Sequence, residues 1–167
     1  MTVIVSDSGP LISFARIDRL KLIGKIVNQV LIPPAVLEEI APKGKRKKGA
    51  AALQRAPWIV VENLKDPQLL DLVSPDTDPG ERAAIALAYE RGLPLLIDDF
   101  TGRQEAERLK VSIIGSVGLL LEAKKQEVIF QVKPLLDTLL QDGFRLAQET
   151  YQEALRRANE SEQTPRV

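Results

Sequence analysis

The chain has 167 residues, of which 44% are hydrophobic and only 4% aromatic, so it fits a single domain with an aliphatic core. It holds no cysteine and no histidine, which excludes disulfides, thiolate nucleophiles, a Ser-His-Asp triad and His-ligated zinc, and leaves carboxylates, lysine or a bound hard cation for any hydrolytic chemistry. Its 23 basic residues balance its 23 acidic ones, so no net field draws it to nucleic acid, and no apolar run nears the roughly 18 residues of a membrane span; the chain reads as soluble and cytoplasmic, with no membrane partner.

Residues 2–6 are a β-branched run that predicts a first strand, and Ser8-Gly9-Pro10 supplies turn and first-turn chemistry for a helix to about Ala15. A helical face over 18–27 leads to a second strand at 29–32, and Pro33-Pro34 opens a helix to about Ile40. Lys43, Lys45, Arg46, Lys47 and Lys48 then place five cations in six positions, readable as a solvated helix entrance or as a local RNA contact. Residues 58–62 form a third strand, and Asp66-Pro67 and Ser74-Pro75 bracket a short helix.

Asp78-Pro79-Gly80-Glu81 opens a helix over 83–90 that Gly92 closes, and 94–97 form a fourth strand ending at Asp98-Asp99. Thr101 with Gln104 fits a capping box for a helix to about Lys110, before a fifth strand at 111–114. Helices at 116–125, 128–141 and 147–160 complete a single domain over 1–160, and 161–167 reads as a polar, fraying tail. Strands separated by helices imply right-handed crossovers and a mostly parallel sheet of the α/β class. Apolar stripes on the last two helices, Leu135, Leu136, Leu139 and Leu140 on one and Tyr151, Ala154, Leu155 and Ala158 on the other, suit core packing or a partner surface.

The acids at strand ends carry the functional signal. If the first and fourth strands are neighbours, Asp7 and Asp98-Asp99 meet at the carboxyl edge of the sheet, where ligands bind in open α/β folds. Each acid also has a plainer reading: Asp7 beside a helix N-terminus, Glu39 or its neighbour Glu38 on a solvent face, Glu81 in a capping box with Asp78. Asp98 and Asp99 are less easily dismissed, because two like charges about 4 Å apart cost on the order of 4 kcal/mol at an effective dielectric near 20. A divalent cation reverses the sign of that cost.

The segments V-S-D-S-G-P-L-I, I-P-P-A-V-L-E-E-I, P-G-E-R-A-A-I-A-L-A and L-L-I-D-D-F-T-G-R-Q-E-A occur in an order that resembles PIN-domain proteins, in particular a prokaryotic PIN-like branch similar to VapC-type ribonuclease toxins. The likeness runs on through I-G-S-V-G-L-L-L-E-A-K and G-F-R-L. It implies a PIN-like three-layer α/β/α sandwich with a central, mostly parallel five-stranded sheet and a Mg2+- or Mn2+-dependent endoribonuclease, the toxin of a toxin–antitoxin pair. By the same resemblance the catalytic acids are Asp7, Glu39, Glu81 and Asp99, and Asp98 is a helper at the metal. Ser8, Thr101 and Arg103 are candidates for positioning water or phosphate. The implied partners are RNA, a small antitoxin protein and a second copy of the chain. Two features depart from the family pattern: Glu81 stands where many members carry Asp, and Ile97-Asp98-Asp99 replaces the usual Thr-x-Asp. The alternative function is a PIN-like module with weakened catalysis that binds nucleic acid or protein.

Overall fold

The computed structural model describes residues 3–41 and 48–161. The basic run up to Lys47 and the tail from residue 162 lie outside the described residues. Strands β1 (Val3–Ser6), β2 (Gln29–Ile32), β3 (Ile59–Val61), β4 (Leu95–Leu96) and β5 (Ile113–Ile114) form one all-parallel sheet in the order β3-β2-β1-β4-β5. Ile4, Val5, Val30, Ile32, Leu95 and Leu96 are fully buried, which accounts for their continuous apolar runs: helices cover the sheet on both faces.

Helices α1 (Ser8–Arg16) and α2 (Leu20–Ile26) connect β1 to β2. Helix α3 (Pro34–Ile40) and the short α4 (Ala50–Gln54) precede β3, and a 3-10 turn at Pro67–Leu72 stands where the sequence predicts a short helix. Helix α5 (Pro79–Arg91) returns the chain across the sheet to β4, and α6 (Phe100–Arg108) joins β4 to β5. It ends at Gly92 in the left-handed region, as the pattern predicts. Helix α5 packs against α3, α6, β1 and the 3-10 turn, which explains its alanines: Ala84, Ala86 and Ala88 are buried where bulkier side chains would hold these neighbours apart.

Helices α7 (Ser116–Lys125), α8 (Lys133–Gln141) and α9 (Gln148–Arg157) finish the domain, with α7 in contact with α2, α8 and α9. Helix α8 begins five residues later than the apolar pattern over 128–141 predicts. Pro134 sits in its first turn, and the Glu160 carboxylate accepts hydrogen bonds from the amides of Val132 and Lys133, so a residue from beyond α9 caps this helix. The stripes on α8 and α9 are spent on the chain's own core: Leu136, Leu139, Ala154, Leu155 and Ala158 are buried. Among the described residues no helix is long and apolar enough to cross a membrane.

Candidate active site

The sheet order makes β1 and β4 neighbours, with Val5 opposite Leu95 and Ser6 opposite Leu96. The chain leaves β1 toward β2 and leaves β4 toward β5, in opposite directions, so a crevice opens between the carboxyl ends of these two strands. The Asp7 amide, donating to the Leu96 carbonyl at 3.0 Å, ties the two strand ends together. Asp7 follows β1 directly, and Asp99 stands at the turn from β4 into α6.

Asp7 holds the N-cap position of α1 in extended backbone geometry, yet its side chain makes no capping hydrogen bond. It is 5% exposed, and its Oδ1 is buried without any partner. A cap would have used that oxygen, and a carboxylate hidden from water with an idle acceptor is costly. The plain capping reading of Asp7 therefore fails. Asp99 does cap, its Oδ2 accepting from the Gly102 amide at 3.0 Å at the start of α6. This displaces the predicted box: the cap of α6 is Asp99, and Thr101 is an exposed residue inside the first turn.

Helices α3 and α5 bring two more acids. Asp78 caps α5, its Oδ1 accepting from the Glu81 amide at 2.8 Å, while the buried Glu81 carboxylate does not return to close a box. A Cβ placed on Gly102 would lie 3.5 Å from the Glu81 carboxyl carbon, so Glu81 reaches the same turn that Asp99 caps. On α3 the register separates the two neighbours: Glu38 is exposed, whereas Glu39 turns inward and accepts a hydrogen bond from the Ser8 hydroxyl. Glu39 lies directly over the first turn of α5, where a Cβ on Gly80 would stand 2.1 Å from its Oε1. Gly80→Ala is thus expected to push the Glu39 carboxylate aside and lower metal affinity by about tenfold, the scale of losses around metal sites, with little change in Tm; manganese calorimetry and thermal denaturation check both halves.

These acids repel one another. Burial raises the Asp7 pKa from 3.8 to about 7, and the charges of Asp78, Glu39 and Asp99 add to the rise against the Ser8 amide, which lowers it. Glu81 is raised from 4.5 to about 8, again by burial first, then by Asp78, Asp99 and Asp7. Asp78 was read from the sequence only as a cap; it is that, and it is also the strongest charge acting on both neighbours. Its dual role had a signal in the spacing, since a cap at the start of α5 must sit beside the Glu81 that it caps.

An all-oxygen donor set with an idle buried carboxylate oxygen fits a hard dication. Among the described residues no group of three or more acids is close enough together to hold a metal ion as the side chains stand. That is compatible with magnesium or manganese, which keep several waters and use one or two carboxylates. Asp7 and Asp99 would hold the ion directly, and Glu39 and Glu81 through water.

Asp98 points elsewhere. Its two oxygens accept from the amide and hydroxyl of Ser116, at the start of α7, and burial raises its pKa despite those bonds and the nearby Arg103. It anchors α7 to the end of β4 and is absent from the charges that act on Asp7 and Glu81. Asp98→Ala is expected to strand two donors at a cost of about 1–3 kcal/mol, lowering Tm by about 2–4 °C per kcal/mol while leaving metal affinity unchanged; paired denaturation and calorimetry read this. Arg103 lies by Asp98 and Gly115 and is absent from the charges that act on Asp7 and Glu81, and Ser8 touches Glu39. The sequence reading also missed Phe100, a ring 73% exposed immediately after Asp99.

A family model described as a PIN domain matches residues 3–160. No curated protein matches the chain. The match spans β1 through α9, and PIN domains are a nuclease-type fold that typically works with divalent metal ions. With the strand-end acids assembled at the crevice between β1 and β4, the chain belongs to the PIN-domain family.

Proposed function

We propose that this protein is a Mg2+- or Mn2+-dependent endoribonuclease that hydrolyses RNA phosphodiesters. The observation that carries the reading is the buried, unpartnered Asp7 Oδ1 among four further carboxylates, Glu39, Asp78, Glu81 and Asp99. Among the described residues no cation is among the charges that act on Asp7 or Glu81, and a bound dication would offset their repulsion.

When bound, a divalent ion supplies Lewis acidity that eases proton loss from water and offsets charge developing at the phosphate. Asp7 and Asp99 fix the position of that chemistry, because each is held at a strand end with its backbone in the sheet or its side chain in a cap. Ser8 holds Glu39 in its orientation, and Asp78 holds the first turn of α5 beneath Glu81. Glu81, buried beside the turn that Asp99 caps, is the group we assign to accept a proton from water and return it to the leaving oxygen. The absence of histidine from the whole chain gives this carboxylate that task.

Phe100 supports a single-stranded substrate, since an exposed ring beside the acids offers a face on which an unpaired base can stack. Phe100→Ala is expected to raise KM for RNA by roughly 1–3 kcal/mol of lost stacking, with kcat largely kept; steady-state kinetics on a labelled oligonucleotide separates the two. We place the protein as the toxin of a toxin–antitoxin pair, with a small protein partner that covers the acid crevice.

The experiment is cleavage of labelled single-stranded RNA with magnesium or manganese, and with EDTA in their place. Metal-dependent cleavage that EDTA stops supports the reading. Cleavage indifferent to EDTA, or metal binding with no cleavage of any RNA, overturns it, the second outcome pointing to a binding module.

A further inference from the structure

We infer that a basic groove along α7, opening beside the acid crevice, holds the phosphate backbone of the RNA strand to one side of the scissile bond. This rests on the ribonuclease reading above and extends it to the path of the substrate. One cavity of about 350 Å3 has a mixed lining, in which Arg103, Arg145 and Arg157 with Asp98 and Thr150 accompany an apolar wall that includes Ile114, Val117, Leu121, Phe144 and Leu146. A second, of about 460 Å3, shares Gly118, Leu121 and Arg157 with the first and carries the lining on to Lys124 and Lys125.

The chain is neutral overall, so a local excess of cations stands out. Among the described residues that line this run, Arg103, Arg145, Arg157 and Lys125 are accompanied by two carboxylates, Asp98 and Glu122, and Asp98 is already engaged by Ser116. Lys124 is paired with Glu160. None of the ion pairs among the described residues uses Arg103, Arg145 or Arg157. Arg103 stands beside Asp98, whereas Arg145 and Arg157 have no carboxylate partner among the described residues, and free guanidinium groups are matched in shape and charge to phosphate oxygens.

Position argues for a strand and not for an isolated anion. Asp98 and Arg103 of α6 line the groove, and Asp99 of the acid cluster caps that same helix, so both sites lie at the carboxyl end of β4 although the side chains of Asp98 and Asp99 diverge. Helix α7 has ten residues, which at 1.5 Å each is about 15 Å, the length of a short run of nucleotides. Five carboxylates would repel an approaching polyanion, and a cationic track beside them offsets that repulsion where the strand first lands. Glycine keeps the track open at its start: a Cβ on Gly115 would come within 2.7 Å of Arg103 Nη1.

The test is anisotropy of a fluorescein-labelled single-stranded RNA on the full chain in EDTA, which stops cleavage, across a salt series. Arg145→Gln with Arg157→Gln should weaken binding on the order of tenfold at about 0.1 M salt and reduce the slope of log K against log salt by about 1.4. Arg19→Gln, at an exposed cation outside the groove, should leave both unchanged. Lysine at both positions should restore the slope, which a folding defect would not allow. Wild-type binding and slope in the double Gln variant would overturn the proposal and leave the nuclease reading standing. So would unchanged RNA binding with lost binding of a poly-glutamate peptide, which would assign the groove to an acidic protein segment. Failure of the wild type to bind or cut RNA would overturn both.

Discussion

Asp7→Asn is expected to abolish RNA cleavage and, at the same time, to make the metal-free chain more stable at pH 8. The first half follows from position, since Asp7 is the acid held most deeply at the crevice and the one with an idle oxygen. Loss of a group that supports a bound metal lowers activity by at least about a hundredfold. The second half follows from linkage. The Asp7 carboxyl titrates at about 7 in the folded chain and near 3.8 when unfolded, so between those values the folded state binds the extra proton. Stability is then fully present below pH 4 and is lost as pH rises through 7.

The rise from 3.8 to about 7 corresponds to about 4 kcal/mol of penalty above pH 7. An asparagine escapes that penalty but leaves a buried amide poorly partnered, at about 1–3 kcal/mol. The net gain is about 2 kcal/mol, or about 4–8 °C in Tm for a chain of this size. Below about pH 4 the gain should vanish or reverse. Thermal denaturation of both chains in EDTA across pH reads it, and a variant less stable than wild type at pH 8 would sink the repulsion argument.

Manganese is expected to stabilise the wild-type chain strongly at pH 8 and scarcely at about pH 5.5. At pH 8 Asp7 is ionised and Glu81 is half ionised, whereas at the lower pH both hold protons that the ion must displace. Both raised values act with the same sign, so apparent affinity falls by at least about a hundredfold over this range. With metal at about a hundred times its dissociation constant, stabilisation is about 2.7 kcal/mol, again several degrees in Tm. An equal Tm rise at both pH values would place the ion on other groups. The same titration on Asp7→Asn should lose most of the rise at pH 8.

How far the sequence foretold this site differs from residue to residue. Asp7 and Asp99 were legible because β-branched and aliphatic runs end just before them, and a parallel sheet collects its strand ends on one edge. Glu39 and Glu38 could not be separated until the register of α3 turned one toward Ser8 and the other to solvent. Asp98 and Asp99 looked like a pair; successive residues leaving β4 in fact diverge, one toward Ser116 and one toward Gly102. Asp78 was hidden by being a good cap, because local pattern reports the hydrogen bond and is silent on the field that the same carboxylate exerts across the crevice. The start of α8 was misplaced for a related reason. Its cap is Glu160, far along the chain, and no window around Val128 contains that contact.

The fold explains why the acids tolerate one another at all. Each is held by an element that the core already stabilises: Asp7 by β1, Glu39 by α3 against α5, Glu81 by the Ala-rich α5, and Asp99 by the turn into α6. The buried aliphatic core provides the stability that the acid cluster costs, a common arrangement where a site needs strained electrostatics for function.

The most direct test is a crystal of the chain grown with manganese at pH 8 and measured for anomalous scattering at the manganese edge. An anomalous peak in the crevice between the carboxylates of Asp7 and Asp99, absent from crystals of Asp7→Asn, is the predicted result. Ordered carboxylates with no peak among them, or a peak on acids elsewhere in the molecule, would contradict the account.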